Sequence, residues 1–99
     1  MELGVTVQLS SPARVAIAGE LDVECVSFLE SFLRLVAGAG SAELVLDLSG
    51  VKFIDCRALG MLMKARRLAA AKGGALRLDQ VPEPVQRVIE LTRAGVLLS

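Results

Sequence analysis

Asp47-Leu-Ser-Gly-Val-Lys-Phe-Ile-Asp-Cys-Arg-Ala-Leu-Gly-Met-Leu-Met63 is the stretch whose reading decides the fold. It opens on the end of an apolar run, Leu44 to Leu48, of the length and composition of a buried strand. Ser49-Gly50 reads as a turn, and a second short apolar step follows at Val51, Phe53 and Ile54. From Asp55 onward the apolar residues recur at helical spacing. Asp55 is therefore the expected N-cap, its carboxylate accepting from the orphan amides of Arg57 and Ala58. Cys56 then occupies the first helical position, on the rim of a strand-to-helix loop where side chains face a partner more often than the core.

Working outward, Val5, Val7 and Leu9 alternate with polar residues, the period of a half-exposed strand. Ser10-Ser11-Pro12 turns the chain into a second strand, Arg14 to Ala18, antiparallel to the first. Gly19-Glu20-Leu21-Asp22 breaks that pattern, and Asp22 is the expected N-cap of a first helix that buries Val26, Leu29, Leu33 and Val36. Gly38-Ala39-Gly40 ends it, and a crossover of this length places the strand Glu43 to Leu48 parallel to the second. The central helix runs from about Cys56 to Lys72, with Ala58, Met61, Leu62, Ala65, Leu68 and Ala69 as its buried stripe and Leu59 and Met63 on one flank. Gly73-Gly74 stops it ahead of a fourth strand, Ala75 to Asp79. A third helix starts at Val81-Pro-Glu-Pro84 and turns Val85, Val88, Ile89 and Thr92 inward, and Val96 to Leu98 packs as a last extended piece. The order ββαβαβα predicts an α/β domain, a mixed β-sheet with helices, formed by residues 1–99 as one unit.

Composition narrows the function. Of 99 residues 54% are hydrophobic but only three are aromatic, all Phe, so the core is aliphatic. Lys plus Arg and Asp plus Glu both number 11, which leaves no electrostatic footprint for nucleic acid and favours a protein partner. No apolar run approaches the roughly 18 residues of a membrane span. The N-terminus lacks a basic segment followed by a long apolar one, so a cytoplasmic location is expected. With no His and no paired-cysteine motif, no metal site and no cofactor are expected.

The stretch DLSGVKFIDCRALGMLM resembles the signature of the STAS domain, best known in bacterial anti-sigma-factor antagonists. Gly19-Glu20-Leu21-Asp22 is similar to that family's turn before the first helix, and Pro84 to Thr92 with Ala94-Gly95-Val96 to its last helix and tail. The resemblance covers roughly residues 5 to 98 and implies a STAS fold. It implies a regulatory module that binds an anti-sigma factor, a kinase-like ATPase, and so controls sigma-factor-dependent transcription. It also implies that Asp22, Asp55, Cys56, Arg57, Leu59 and Met63 line the contact surface. In that family a Ser or Thr after the Asp is phosphorylated; here Cys56 holds its place, and Ala58 replaces a Gly, while Asp55, Leu59 and Gly60 are retained. Cys56 is the phosphoacceptor equivalent without the hydroxyl, so control by phosphate at the usual position is not expected.

Other chemistry is weaker. Asp22 and Asp55 are better explained as caps than as an acid–base pair, and no nucleophile, metal ligand or phosphate-cradling loop accompanies them, so an enzyme is not expected. Two alternatives stay open beside the antagonist: a STAS subunit of a membrane ABC transport assembly, and an antagonist switched by oxidation of Cys56 or by a Cys25–Cys56 disulfide. No membrane insertion is expected, and the assembly state is a monomer or a weak homodimer.

Overall fold

The structure, a computed structural model, describes residues 3–9, 12–38, 43–92 and 94–98. Four strands form one sheet in the order β1 (Leu3–Gln8), β2 (Ala13–Leu21), β3 (Glu43–Ile54) and β4 (Ala75–Asp79). β1 pairs antiparallel with β2, while β3 lies parallel to both β2 and β4. The helices are α1 (Val26–Gly38), α2 (Cys56–Ala71) and α3 (Glu83–Leu91), so the element order matches the sequence expectation. Ser10, Ser11, Ala39 and Gly40, placed by sequence in a turn and a helix stop, lie outside the described residues.

β3 departs from the expectation in a way that shapes the site. It is one continuous strand, without a turn at Ser49-Gly50. Ala16 pairs with Asp47 but Ala18 with Gly50, and Gly19 pairs with Val51 but Glu20 with Phe53. β3 thus carries two extra residues opposite β2, each accommodated as a bulge. The buried residues Leu44, Leu46 and Leu48 keep the strand period of two; past them Val51 and Ile54 follow at steps of three. A sequence reading takes that broken period for a turn. Gly50 permits the close approach: a Cβ there lies 2.7 Å from the Ala18 Cβ and 3.1 Å from its Cα. Gly50→Ala is expected to cost about 2 kcal/mol, because one of the two parts in contact is backbone and cannot swing aside. A urea midpoint unchanged from wild type would contradict this packing.

The helix-covered face of the sheet supplies Val15, Ile17, Leu21, Leu46 and Leu48 to the core, joined by Leu29, Leu33, Leu62, Val85 and Ile89 from the helices. Among the described residues the core contains no buried polar or charged side chain. α2 stops in a Schellman arrangement: Gly73 has φ of 80°, its N–H donates to the Ala70 carbonyl, and the Gly74 N–H donates to that of Ala69. Three outer assignments are corrected. Leu9 is exposed beyond the end of β1. Thr92 faces solvent as the C-cap of α3, its hydroxyl donating to the Val88 carbonyl at 2.7 Å. Gly95–Leu98 is a 3₁₀ turn rather than an extended piece, closed by the Leu97 N–H on the Ala94 carbonyl. Among the described residues no helix is long and apolar enough to cross a membrane.

On the open face of the sheet Arg14 ties three strands together, with Nη2 at 2.7 Å from Asp79 Oδ2 and 3.3 Å from Asp47 Oδ2. The Ser49 amide, then the Ser49 hydroxyl, and then Arg14 hold the Asp47 carboxyl below the usual carboxylate range. A depressed folded-state value contributes stability that is present above the unfolded value, about 3.9, and is lost as pH falls through the folded one. Stability is therefore expected to fall below about pH 4. Asp47→Asn is expected to flatten that acid limb in urea titrations run from neutral pH downward; an unchanged limb would remove Asp47 as its source.

Candidate functional site

The candidate site forms where the parallel pair β2–β3 ends. Leu21 pairs with Ile54, so the chain leaves both strands at the same level, into Asp22 on one side and Asp55 on the other. The Asp55 N–H donates to the Leu21 carbonyl at 3.0 Å and ties the two exits together.

Asp55 adopts the extended conformation of an N-cap, and its Oδ1 accepts from the Ala58 N–H at 2.9 Å. A cap of this kind is worth about 1 kcal/mol to the helix. It fixes Cys56 as the first residue of α2 and leaves both Cys56 and Arg57 exposed. Asp22 does not cap α1 as the sequence reading expects. Its carboxylate accepts from the Glu24 N–H at 3.0 Å and its carbonyl from the Cys25 N–H at 3.1 Å, closing a turn that delays the helix to Val26. That turn swings Cys25 inward, fully buried, with Sγ donating to the Asp22 carbonyl at 3.2 Å. Burial pushes the Cys25 thiol up, and the neighbouring charges of Asp22 and Asp55 push the same way. Both cysteines are free thiols, one buried and one exposed, and no Cys25–Cys56 disulfide is formed.

Four of the six expected contact residues, Asp22, Asp55, Cys56 and Arg57, thus meet at one end of the sheet. Leu59 does not join them. It is 3% exposed and belongs to the core, on a helix that packs against α1 and the C-terminal 3₁₀ turn as well as against β3 and β4 of the sheet. Met63 is half-buried two turns along α2. Leu68, expected inside, is 41% exposed. Between Cys56 and Met63 lies Gly60, where an added Cβ meets nothing within 4 Å. The fold itself has no steric need for glycine there. Gly60→Ala is expected to stabilise the chain by about 1 kcal/mol in urea unfolding, the helix-interior preference for Ala; a loss of stability would show that the notch serves the fold.

The sequence reading missed part of this surface. Phe53 and Val23, each about half-exposed, flank Asp55 and Asp22 and add apolar area to the same end. Glu20 and Glu24 join Asp22 around an open hollow that Gly4, Ala18, Gly19 and Lys52 also line. Phe53 was visible as an apolar residue, but only the bulge decides that it points outward. Among the described residues no cluster of His, Cys, Asp and Glu is arranged to hold a metal.

Comparison with known proteins bears on the family and the fold. The family described as "Mlab, STAS domain" matches residues 5–99. The anti-sigma-B factor antagonist of Bacillus subtilis (strain 168) is 31% identical over 93 residues, which is 93% of this chain and 84% of that protein. The crystal structure of an anti-sigma factor antagonist from Mycobacterium paratuberculosis superposes with a TM-score of 0.84 at 22% identity, covering 98% of this chain and 83% of that one. The phosphorylated form of SpoIIAA, a Bacillus cell fate determinant, has a TM-score of 0.71 at 17% identity over 97% of this chain and 89% of its own. Both structures share the fold described above.

Proposed function

Because the chain belongs to the STAS domain family, we propose that residues 1–99 act as one regulatory binding module that captures an anti-sigma factor of the kinase-like ATPase type. The observation that carries this reading is the 31% identity to an anti-sigma-B factor antagonist over 93% of the chain. The docking face is the end of the sheet where Asp22, Asp55, Cys56 and Arg57 gather, extended by Phe53, Val23 and Met63. Its character suits a protein partner: half-exposed apolar groups stand among charged ones. Sequestering the anti-sigma factor releases its sigma factor, and that is how a module without chemistry of its own acts on transcription.

Cys56 sets the regulation. A protein kinase transfers phosphate to a hydroxyl, and the exposed group at the first position of α2 is a thiol. Binding through this face is then independent of phosphate at that position. The direct test is capture of partners by the full chain from its own cytosol, followed by titration of the purified candidate. A kinase-like anti-sigma factor bound in a stable complex supports the reading; radiolabelled phosphate on wild-type Cys56 from that partner would contradict the regulatory half.

A second reading keeps the face and changes the partner to the ATPase of a membrane ABC transport assembly. It rests on the STAS family match over residues 5–99, which does not separate the two partners. The same capture experiment separates the two by which ATPase is retained.

A further inference from the structure

Further along α2, away from the Cys56 end, α1 and α2 enclose a groove of about 240 Å³. Its floor is aliphatic, made by Leu33, Leu44, Met61, Ala65 and Leu68. Leu68 is left 41% exposed there, although it lies on a helix with core positions on either side. The rim carries Arg34, Lys64 and Lys72 against one carboxylate, Glu30. Lys64 Nζ approaches Glu30 Oε1 at 2.9 Å and Arg34 Nη2 approaches the same oxygen at 3.2 Å. Two cations share one anion, and a third lines the groove without adding a carboxylate, so the mouth is positive in a chain whose formal net charge is zero.

An apolar channel with a few charged groups at its mouth is the usual form of a small-molecule site. Drug-sized ligands occupy roughly 300–1,000 Å³. The smaller volume here suits one short chain. The sign of the rim selects an anion over a neutral or cationic head. We infer that this groove binds a single-chain alkyl carboxylate, its chain over Leu33, Met61 and Leu68 and its head among Arg34, Lys64 and Lys72. The inference does not rest on the docking face proposed above, which is centred on the Cys56 end of α2 and approaches the groove only at Met63, next to Lys64 on its rim.

The test is a titration of the ¹⁵N-labelled full chain with hexanoate, octanoate and decanoate, followed by amide shifts. The expected result is a response at Leu33, Ala65 and Leu68, with affinity rising about fourfold for each methylene that still fits. Decyltrimethylammonium, with the same tail and the opposite charge, is expected to bind more weakly. Ala65→Phe, which fills the groove, is expected to abolish the response while the thermal melt confirms folding. Lys72→Glu on the rim is expected to weaken decanoate about fivefold and leave decanol unchanged. No response to decanoate, or equal binding of the cationic detergent, would overturn the inference. So would groove shifts that track protein concentration alone, since a second copy would then be the occupant.

Discussion

Leu59→Ala is expected to lower the unfolding free energy by about 3 kcal/mol, within the range measured for emptying a buried aliphatic site. Leu59 is 3% exposed, on the turn of α2 that follows Cys56. A domain of this size has only 5–15 kcal/mol to lose, so the urea midpoint should fall by a large fraction. Partner affinity, corrected for the folded fraction, should change far less. The family resemblance placed Leu59 on the contact surface, and the two outcomes separate the positions cleanly. A variant of wild-type stability that no longer binds would return Leu59 to the interface.

The reason the sequence misplaced Leu59 is general. Helical spacing identifies a stripe, here Ala58, Met61, Leu62 and Ala69, all of them buried as read. The width of the stripe depends on how many neighbours the helix has, and those come from distant parts of the chain. α2 packs against α1, β3, β4 and the 3₁₀ turn, and its buried arc is wide enough to take in Leu59. Leu68, two turns further on, borders the groove and stays open on one side. Local signals did better. Asp55 caps α2 on Ala58, one of the two amides that the capping rule names, and β4 runs from Ala75 to Asp79 as its alternation and flanking glycines require. The bulges in β3 were illegible because a bulge is a relation between two strands, and it is visible only once Ala16 and Glu20 are set against Asp47 and Phe53. The docking end was legible in part for the same reason. Asp22 and Asp55 are 33 residues apart in the sequence, and the parallel register of β2 and β3 brings them together.

Cys56→Asp is expected to have the largest effect on binding. A carboxylate at the first position of α2 favours the helix by roughly 0.3–1 kcal/mol, so the chain itself should fold at least as well as wild type. In a complex the same group enters the interface beside Asp55 as a second, unpaired carboxylate. Leaving a charge of that kind buried costs 2–5 kcal/mol, and about 3 kcal/mol corresponds to roughly a hundredfold weaker complex. Cys56→Ser changes neither charge nor size by much and should bind as wild type does. It also restores a hydroxyl at the exposed position that resembles the family's phosphoacceptor.

Calorimetric titration of the captured anti-sigma factor with wild type, Cys56→Ser and Cys56→Asp therefore bears most directly on whether the β3–α2 junction is the surface a partner grips. The account predicts equal affinity for the first two and a loss of about a hundredfold for the third, with all three chains equally folded. Equal affinity for all three would place the contact elsewhere on the molecule and contradict it.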